Sequence, residues 1–266
     1  MTNKTNTARS VAEALRVRVL NNEAAAGETL DTIAGLMDEY GVARETIRAA
    51  VAMLAAEGLV RSVHRRGVVI QERVARRRIR RGQAVTRNPR YGYVFPATHD
   101  PGEKWVAHGQ PYRSLEPAPA AVAETFGVVA GTSVLRRRRV MSPESEPPFQ
   151  LVDTWLSPQA VADAPQVAEP STGPGGYLDR LEEAGHGPIS WQETTRVKMA
   201  SAEEAKLLGI STALPVFEVT MVGHSARDDQ PIEVTIKVIP GDRVELVTDL
   251  VRAESAAWPV SPVEVS

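Results

Sequence analysis

Leu30–Ile70 reads LDTIAGLMDEYGVARETIRAAVAMLAAEGLVRSVHRRGVVI, and the spacing of its apolar residues decides the fold of the first part of the chain. Ile33, Leu36, Met37 and Tyr40 fall at i, i+3, i+4 and i+7, and Ile47, Val51 and Leu54 at i, i+4 and i+7. That spacing predicts two short helices, each with one buried stripe. Between them stand Gly41, Val42 and Ala43. Glycine takes the left-handed conformation that ends a helix, and so few residues remain before the next stripe that the helices must meet at a sharp corner. The second helix should stop at Glu57-Gly58. Leu59-Val60 and Val68-Val69-Ile70 then flank Ser62–Gly67 as two β-rich runs around a turn, a hairpin placed as a wing.

The exposed face of the second helix carries Arg44 and Arg48 one turn apart, with Glu45 and Thr46 beside them near its N-terminus. Guanidinium groups pair in two-pronged fashion with guanine edges or clamp phosphates, and a recognition helix presents its N-terminal residues to the major groove. The alternative for either arginine is an ordinary surface pair with Glu45 or Glu57. Arg65, Arg66 and Gly67 at the wing tip suit an adjacent groove or backbone and tilt the reading toward double-stranded DNA. A helix over residues 9–21, with Val11, Leu15 and Val19 on one side, would complete a three-helix core.

At 266 residues the chain is long enough for two domains, and its charge is divided accordingly. Residues 1–90 hold 17 Lys/Arg against 9 Asp/Glu, and residues 91–266 hold 14 against 24, so the net charge of −2 conceals a basic first part and an acidic second. Such a division is expected of a nucleic-acid-binding module joined to a domain with another task. Without cysteine there is no disulfide framework, thiolate metal site or cysteine nucleophile. His64, His99, His108, His186 and His224 show no paired spacing, and neither a zinc site nor any cofactor is expected. No apolar run reaches membrane-spanning length and residues 1–6 are polar, so the expected location is cytoplasmic, with no membrane partner.

These features divide the chain into a DNA-reading head over residues 1–75, a solvated, arginine-rich linker over 76–90, a second domain over 91–255 and a tail over 256–266. Within the second domain, short helices are predicted at 118–126, 177–183 and 202–208, and strands at 133–141, 149–156, 190–199, 216–224 and 232–239. Strands interspersed with short helices make the fold class α+β, around a largely antiparallel sheet.

The head resembles the winged helix-turn-helix domain of the GntR family of bacterial transcription regulators, HutC subfamily, through GETL at 27–30, YGVARETIR at 40–48, LAAEGLV at 54–60 and RRG at 65–67. It departs at Asp31-Thr32-Ile33, where the family has a Pro-Ser-Glu-like helix start; Thr32 still suits a cap that meets a phosphate. The second domain resembles the UTRA ligand-binding domain, with its chorismate-lyase-like fold. PAPAAVAETFGV at 117–128, LRRRRV at 135–140, DTWLSP at 153–158, GGYLDRLEEAGH at 175–186, SAEEAKLLGI at 201–210 and QPIEVTIKVIPGDR at 230–243 carry the likeness. The resemblance implies a small-molecule effector, often a sugar phosphate or carboxylated compound, whose binding releases DNA. It also implies a pocket lined by arginines of the 135–140 strand, the start of the GGY helix and the glutamate of PIE.

The chemistry of those residues agrees with this role. Arg137 and Arg139, two apart in a strand, share a face and suit one anion. The longer loop at 142–148 leaves Arg138 as the alternative inward residue. Gly175-Gly176 would leave backbone N–H groups open at a helix start, Tyr177 adds a hydroxyl, and Glu233 would accept hydrogen bonds from the ligand. Each has a plainer alternative: a solvated edge strand for the arginines, a core aromatic for Tyr177, an exposed partner of Lys237 for Glu233. Some sugar-phosphate sensors of the family carry a glutamate near Val152 and a tyrosine near Ile239; here both are apolar, which points to a less hydroxylated ligand.

The expectation is therefore a homodimeric repressor on a pseudo-palindromic operator, responsive to a small effector of anionic character. A ligand-independent, plasmid-type repressor and a chorismate-lyase-like enzyme are the alternatives, although no acid/base pair with a nucleophile is evident.

Overall fold

The computed structural model describes residues 7–21, 25, 27–63, 65–71, 76–82, 84–88, 92–95, 103–144 and 146–256. In the head, α1 (Ala8–Leu20) precedes β1 (Thr29–Asp31), α2 (Ile33–Tyr40), α3 (Arg44–Ala56), β2 (Val60–Val63) and β3 (Gly67–Ile70). Thr32 caps α2 by accepting a hydrogen bond from the Gly35 N–H at 3.0 Å, and Gly41 ends it at φ 62°, so the corner forms where the glycine stands. Leu15, Leu36, Ile47 and Leu54 are fully buried at the centre of the three helices. The hairpin β2–β3 is widened by β1 into a sheet of order β1-β3-β2.

The second part contains β4 (Arg77–Arg80), β5 (Thr86–Asn88), β6 (Gly92–Val94), β7 (Trp105–Ala107), β8 (Tyr112–Pro117), α4 (Ala120–Phe126), β9 (Ser133–Pro143), β10 (Gln150–Leu156), α5 (Pro158–Asp163), α6 (Gly176–Leu181), β11 (Ser190–Met199), α7 (Ala202–Leu208), β12 (Pro215–His224), β13 (Pro231–Pro240) and β14 (Val244–Val247). A seven-stranded sheet runs β11-β12-β13-β10-β9-β7, with β8 also on β9, and every pairing in it is antiparallel. Alternation divides the side chains of its central strands between two faces. Val134, Trp155 and Val234 pack under α4, and Val140, Leu151 and Val238 under α7. On the opposite face Leu135 and Leu156 pack against α5 and α6.

The arginine-rich stretch 76–90 differs from the solvated linker expected of it. β4 pairs in parallel with β14, β5 pairs with β6, and Ile79 is buried beside Phe149, Ile239 and Val244. Ile79 is the lone apolar residue of Arg77–Arg80, so the strand had no alternation to display. β1, β7, β8 and α5 were also unexpected; each is short or, like β8, mostly exposed and without an apolar alternation. The head touches the second domain through Gln71, whose amide donates to the Gly209 carbonyl at 3.4 Å, and through Gly58, which faces the Asp242 carboxylate. Apart from Ala256, the tail lies outside the described residues, as do His64 and His99.

Candidate nucleic-acid interface and anion cavity

The described head places Thr32, Arg44, Glu45, Thr46, Arg48, Arg65, Arg66 and Gly67 at its surface, with Thr46 and Gly67 half-buried and the others exposed. Ala43 supplies no side-chain cap to α3, so its first turn keeps N–H groups that a phosphate can use. Arg44 has no ion pair among the described residues. Arg48 pairs with Glu45 at 3.0 Å, the surface alternative raised by the spacing, but its side chain remains 58% exposed. An exposed pair of this kind is worth at most about 1 kcal/mol, so it holds Arg48 only loosely. Glu57 is engaged elsewhere, on Arg16 at 2.5 Å. At the wing tip Arg65 takes φ 64°, unusual for a residue with a side chain, and the Arg66 guanidinium donates to the Gly27 carbonyl at 3.2 Å.

A cavity of about 420 Å³ lies on the α6 side of the sheet, and Arg137, Arg139, Gly175, Gly176 and Tyr177 all line it. Glu233 sits behind this wall, 1% exposed; its Oε1 accepts from the Tyr177 hydroxyl at 2.8 Å and from Thr235 at 2.6 Å, while Oε2 has no partner. It is thus neither an exposed partner of Lys237 nor part of the lining; it acts on the cavity through its bond to Tyr177 and through its charge, which is felt by Lys237 and Arg139. Burial pushes the Glu233 carboxyl upward, against the hydrogen bonds from Thr235 and Tyr177, and burial also raises the Tyr177 hydroxyl.

The Gly175-Gly176 turn is tighter than the motif suggests. Gly175 has φ 84°, a Cβ there would collide with the Asp179 carboxylate, and a Cβ on Gly92 would collide with the Gly175 carbonyl. Strand β6 therefore presses on the turn and brings Tyr93 and Phe95 into the cavity wall. The carboxylate of Asp179, itself paired with Arg87, lies against the turn, a poor neighbour for an anion.

Strand β9 carries four consecutive arginines, and pairing with β10 sets their directions. Arg136 and Arg138 grip Asp153 at 2.8–3.1 Å, with Glu116 and Glu203 as further partners. Burial opposes the Asp153 charge, but the hydrogen bonds from Arg138 and Arg136 prevail and hold its carboxyl below the usual range. Arg137 and Arg139 take the cavity side; the register with Arg138 inward is not the one formed. Arg137 spends Nη1 on the carbonyls of Val167 and Glu169, at 2.6 and 3.0 Å. Arg139 has no hydrogen bond or ion pair among the described residues.

Sequence reasoning missed Lys237, Gln150 and Phe95 in the lining. Lys237 was legible as the third inward member of the alternation Glu233, Thr235, Lys237. The cavity-wall position of Phe95 follows from the close approach of Gly92 to Gly175, which no local pattern reveals. Among the described residues no helix is long and apolar enough to cross a membrane, and no cluster of three His, Cys, Asp or Glu could hold a metal ion.

Comparison with known proteins accords with this two-part organisation. The family model described as bacterial regulatory proteins, gntR family, matches residues 7–70, and the UTRA domain model matches residues 112–245. The chain is 28% identical over 242 residues to the uncharacterized HTH-type transcriptional regulator RB1450 of Rhizobium meliloti, covering 90% of this chain and 92% of that one. It is 27% identical over 259 residues to the uncharacterized HTH-type transcriptional regulator SCO4628 of Streptomyces coelicolor, covering 93% and 94%. A solved structure described as a GntR-family transcriptional regulator shares the fold with a TM-score of 0.56 at 23% identity, over 92% of this chain and 98% of that one. These relatives are regulators, not enzymes.

Proposed function

The chain belongs to the gntR family of bacterial regulatory proteins and carries a UTRA domain, and we propose that it is a cytoplasmic, homodimeric repressor released from a pseudo-palindromic operator by a small anionic effector. The pairing of a GntR head with a UTRA domain supports placement in the HutC subfamily. The operator contacts are Arg44, Thr46 and Arg48 in the major groove, with Glu45 orienting Arg48. Thr32 and the wing residues Arg65, Arg66 and Gly67 lie on the phosphates or the adjacent groove. Two-fold symmetry presents two heads to half-sites about one DNA turn apart.

The observation that carries the effector reading is the cavity, whose inward cations Arg139 and Lys237 make no ion pair among the described residues. A physical line leads from it toward the head. Glu103 lines the cavity and is gripped by the Arg77 guanidinium at 2.6 and 2.8 Å, and Arg77 opens the strand that follows the head. Arg77 also holds Glu146 at 2.5 Å and lies over the Trp105 and Phe149 rings at 5.8 and 5.6 Å. An effector that moves Glu103 therefore pulls on β4. A coupling of about 1–3 kcal/mol changes operator affinity roughly 5- to 150-fold, enough for derepression. Replacing Arg48 by alanine should abolish specific binding in a gel-shift assay while leaving the dimer intact; undiminished binding would sink this assignment.

A further inference from the structure

The cavity floor holds two cations, Arg139 and Lys237, and the charge of the buried Glu233 acts on both without an ion pair to either. Val152 of β10 is the register partner of both Arg139 on β9 and Lys237 on β13, so the three form one row across the sheet with their side chains on one face. Neighbouring strands are about 4.8 Å apart, so the two cations flank Val152 closely enough for both to reach a single group above it. Lys237 is 6% exposed, and its ammonium lies 5.2 Å from the Phe95 ring centroid. Neither Lys237 nor Arg139 has a hydrogen bond or ion pair among the described residues. Lys237 is withdrawn from water beside a half-buried Arg139, and neither is paired with a carboxylate, an arrangement that is costly to maintain and that a bound anion relieves.

The surroundings narrow the ligand further. Val152 is itself 2% exposed, and Phe95, Trp105 and Met141 give the cavity apolar walls beside the row. Gln150 lines the cavity at 4% exposed, with an amide oxygen that has no partner and calls for a ligand N–H or O–H. We infer that Arg139, Val152 and Lys237 form the anion subsite of this cavity. Its ligand is a small organic oxyanion with an apolar or aromatic body and a hydrogen-bond donor for Gln150, not a polyhydroxylated compound. This inference rests on the effector reading above and names its ligand class.

Isothermal titration of the full chain with para-hydroxyphenylacetate, phenyl phosphate and gluconate tests it. The first two separate carboxylate from phosphate, and gluconate offers the same charge on a polyol. Binding of an aromatic oxyanion in preference to gluconate is expected, with a loss of roughly tenfold or more in Lys237→Met. Val152→Glu, which inserts a carboxylate between the cations, should block the probe without lowering thermal stability, so that a folding defect is not mistaken for a lost site. Preference for gluconate, aromatic binding unchanged in Lys237→Met, or no binding of any probe to the parent chain would overturn the inference. Operator release, followed by fluorescence anisotropy with the same probes, separates the two claims. Lys237-dependent binding without release leaves the subsite standing and sinks the effector role. Release that is equal in parent and Lys237→Met does the reverse.

Discussion

The two faces of strand β9 carry the same residue type and opposite electrostatics. Arg136 and Arg138 converge on Asp153 and reach Glu116 and Glu203 besides, so on that face charge is neutralised inside the fold. One residue out of phase, Arg139 faces Val152 where its neighbours face a carboxylate, and Lys237 on the far side of Val152 adds a second cation without an ion pair. Neutralised charge holds strands together, whereas unneutralised buried charge costs stability and persists where something else uses it. Arginine density alone is thus a poor guide to function; the strand register, which sets each guanidinium against an acid or against none, separates the two roles.

Breaking the neutralised face should have the largest effect. Asp153→Ala leaves Arg136 and Arg138 without their shared carboxylate in a mostly buried setting. A loss of about 3–5 kcal/mol in stability is expected from urea denaturation; a loss under about 1 kcal/mol would mean that the face is not held by charge. On the other face the sign reverses. Burial, reinforced by the neighbouring charges of Arg139 and Arg81 and opposed by Glu233, pushes the Lys237 ammonium down to about 8.

The unfolded chain therefore binds more protons than the folded one between about pH 8 and the ordinary lysine value of 10.5. The penalty is fully present below pH 8 and is relieved as pH rises through that window. Lys237→Met should raise the melting temperature at pH 7 and flatten the rise in stability above pH 8. A lower melting temperature at pH 7 would show that the ammonium is compensated after all.

Smaller effects sharpen the link between cavity and head. Arg77→Ala should weaken effector-dependent operator release by about 0.5–2 kcal/mol of coupling while leaving effector affinity nearly unchanged. Titration of operator with and without effector measures it, and an intact coupling would move the line of communication elsewhere. Thr32→Ala removes the cap of α2 and should cost about 1 kcal/mol, seen as a modest fall in the melting temperature. A neutral result there would mean that the α2 start is held by neighbouring contacts rather than by its hydroxyl.

Legibility in the sequence followed the range of the interactions. The corner at Gly41, the stripes of α2 and α3 and the long strands β9 to β13 are local patterns, and the structure places them within three residues of the expected bounds. β4 was hidden because its partner, β14, lies more than 160 residues away and its own residues are mostly arginine. Strand alternation identified Arg137 and Arg139 as sharing a face, but it could not tell that Arg137 is spent on carbonyls and Arg139 on nothing. It likewise joined Lys237 to Glu233 without revealing that both are buried.

By itself, then, the sequence determined the helix-turn-helix and its wing, the division of charge between the two parts, and the faces of the central strands, because turn residues and side-chain periodicity act over a few residues. Only the tertiary structure decided which charges meet. Register across β9, β10 and β13 set Arg138 against Asp153 but Arg139 and Lys237 against Val152, and the approach of β6 to the Gly175 turn walled the cavity beside them. Neutralisation is a property of pairs, and each of these pairs is assembled by strands and turns that only folding brings together.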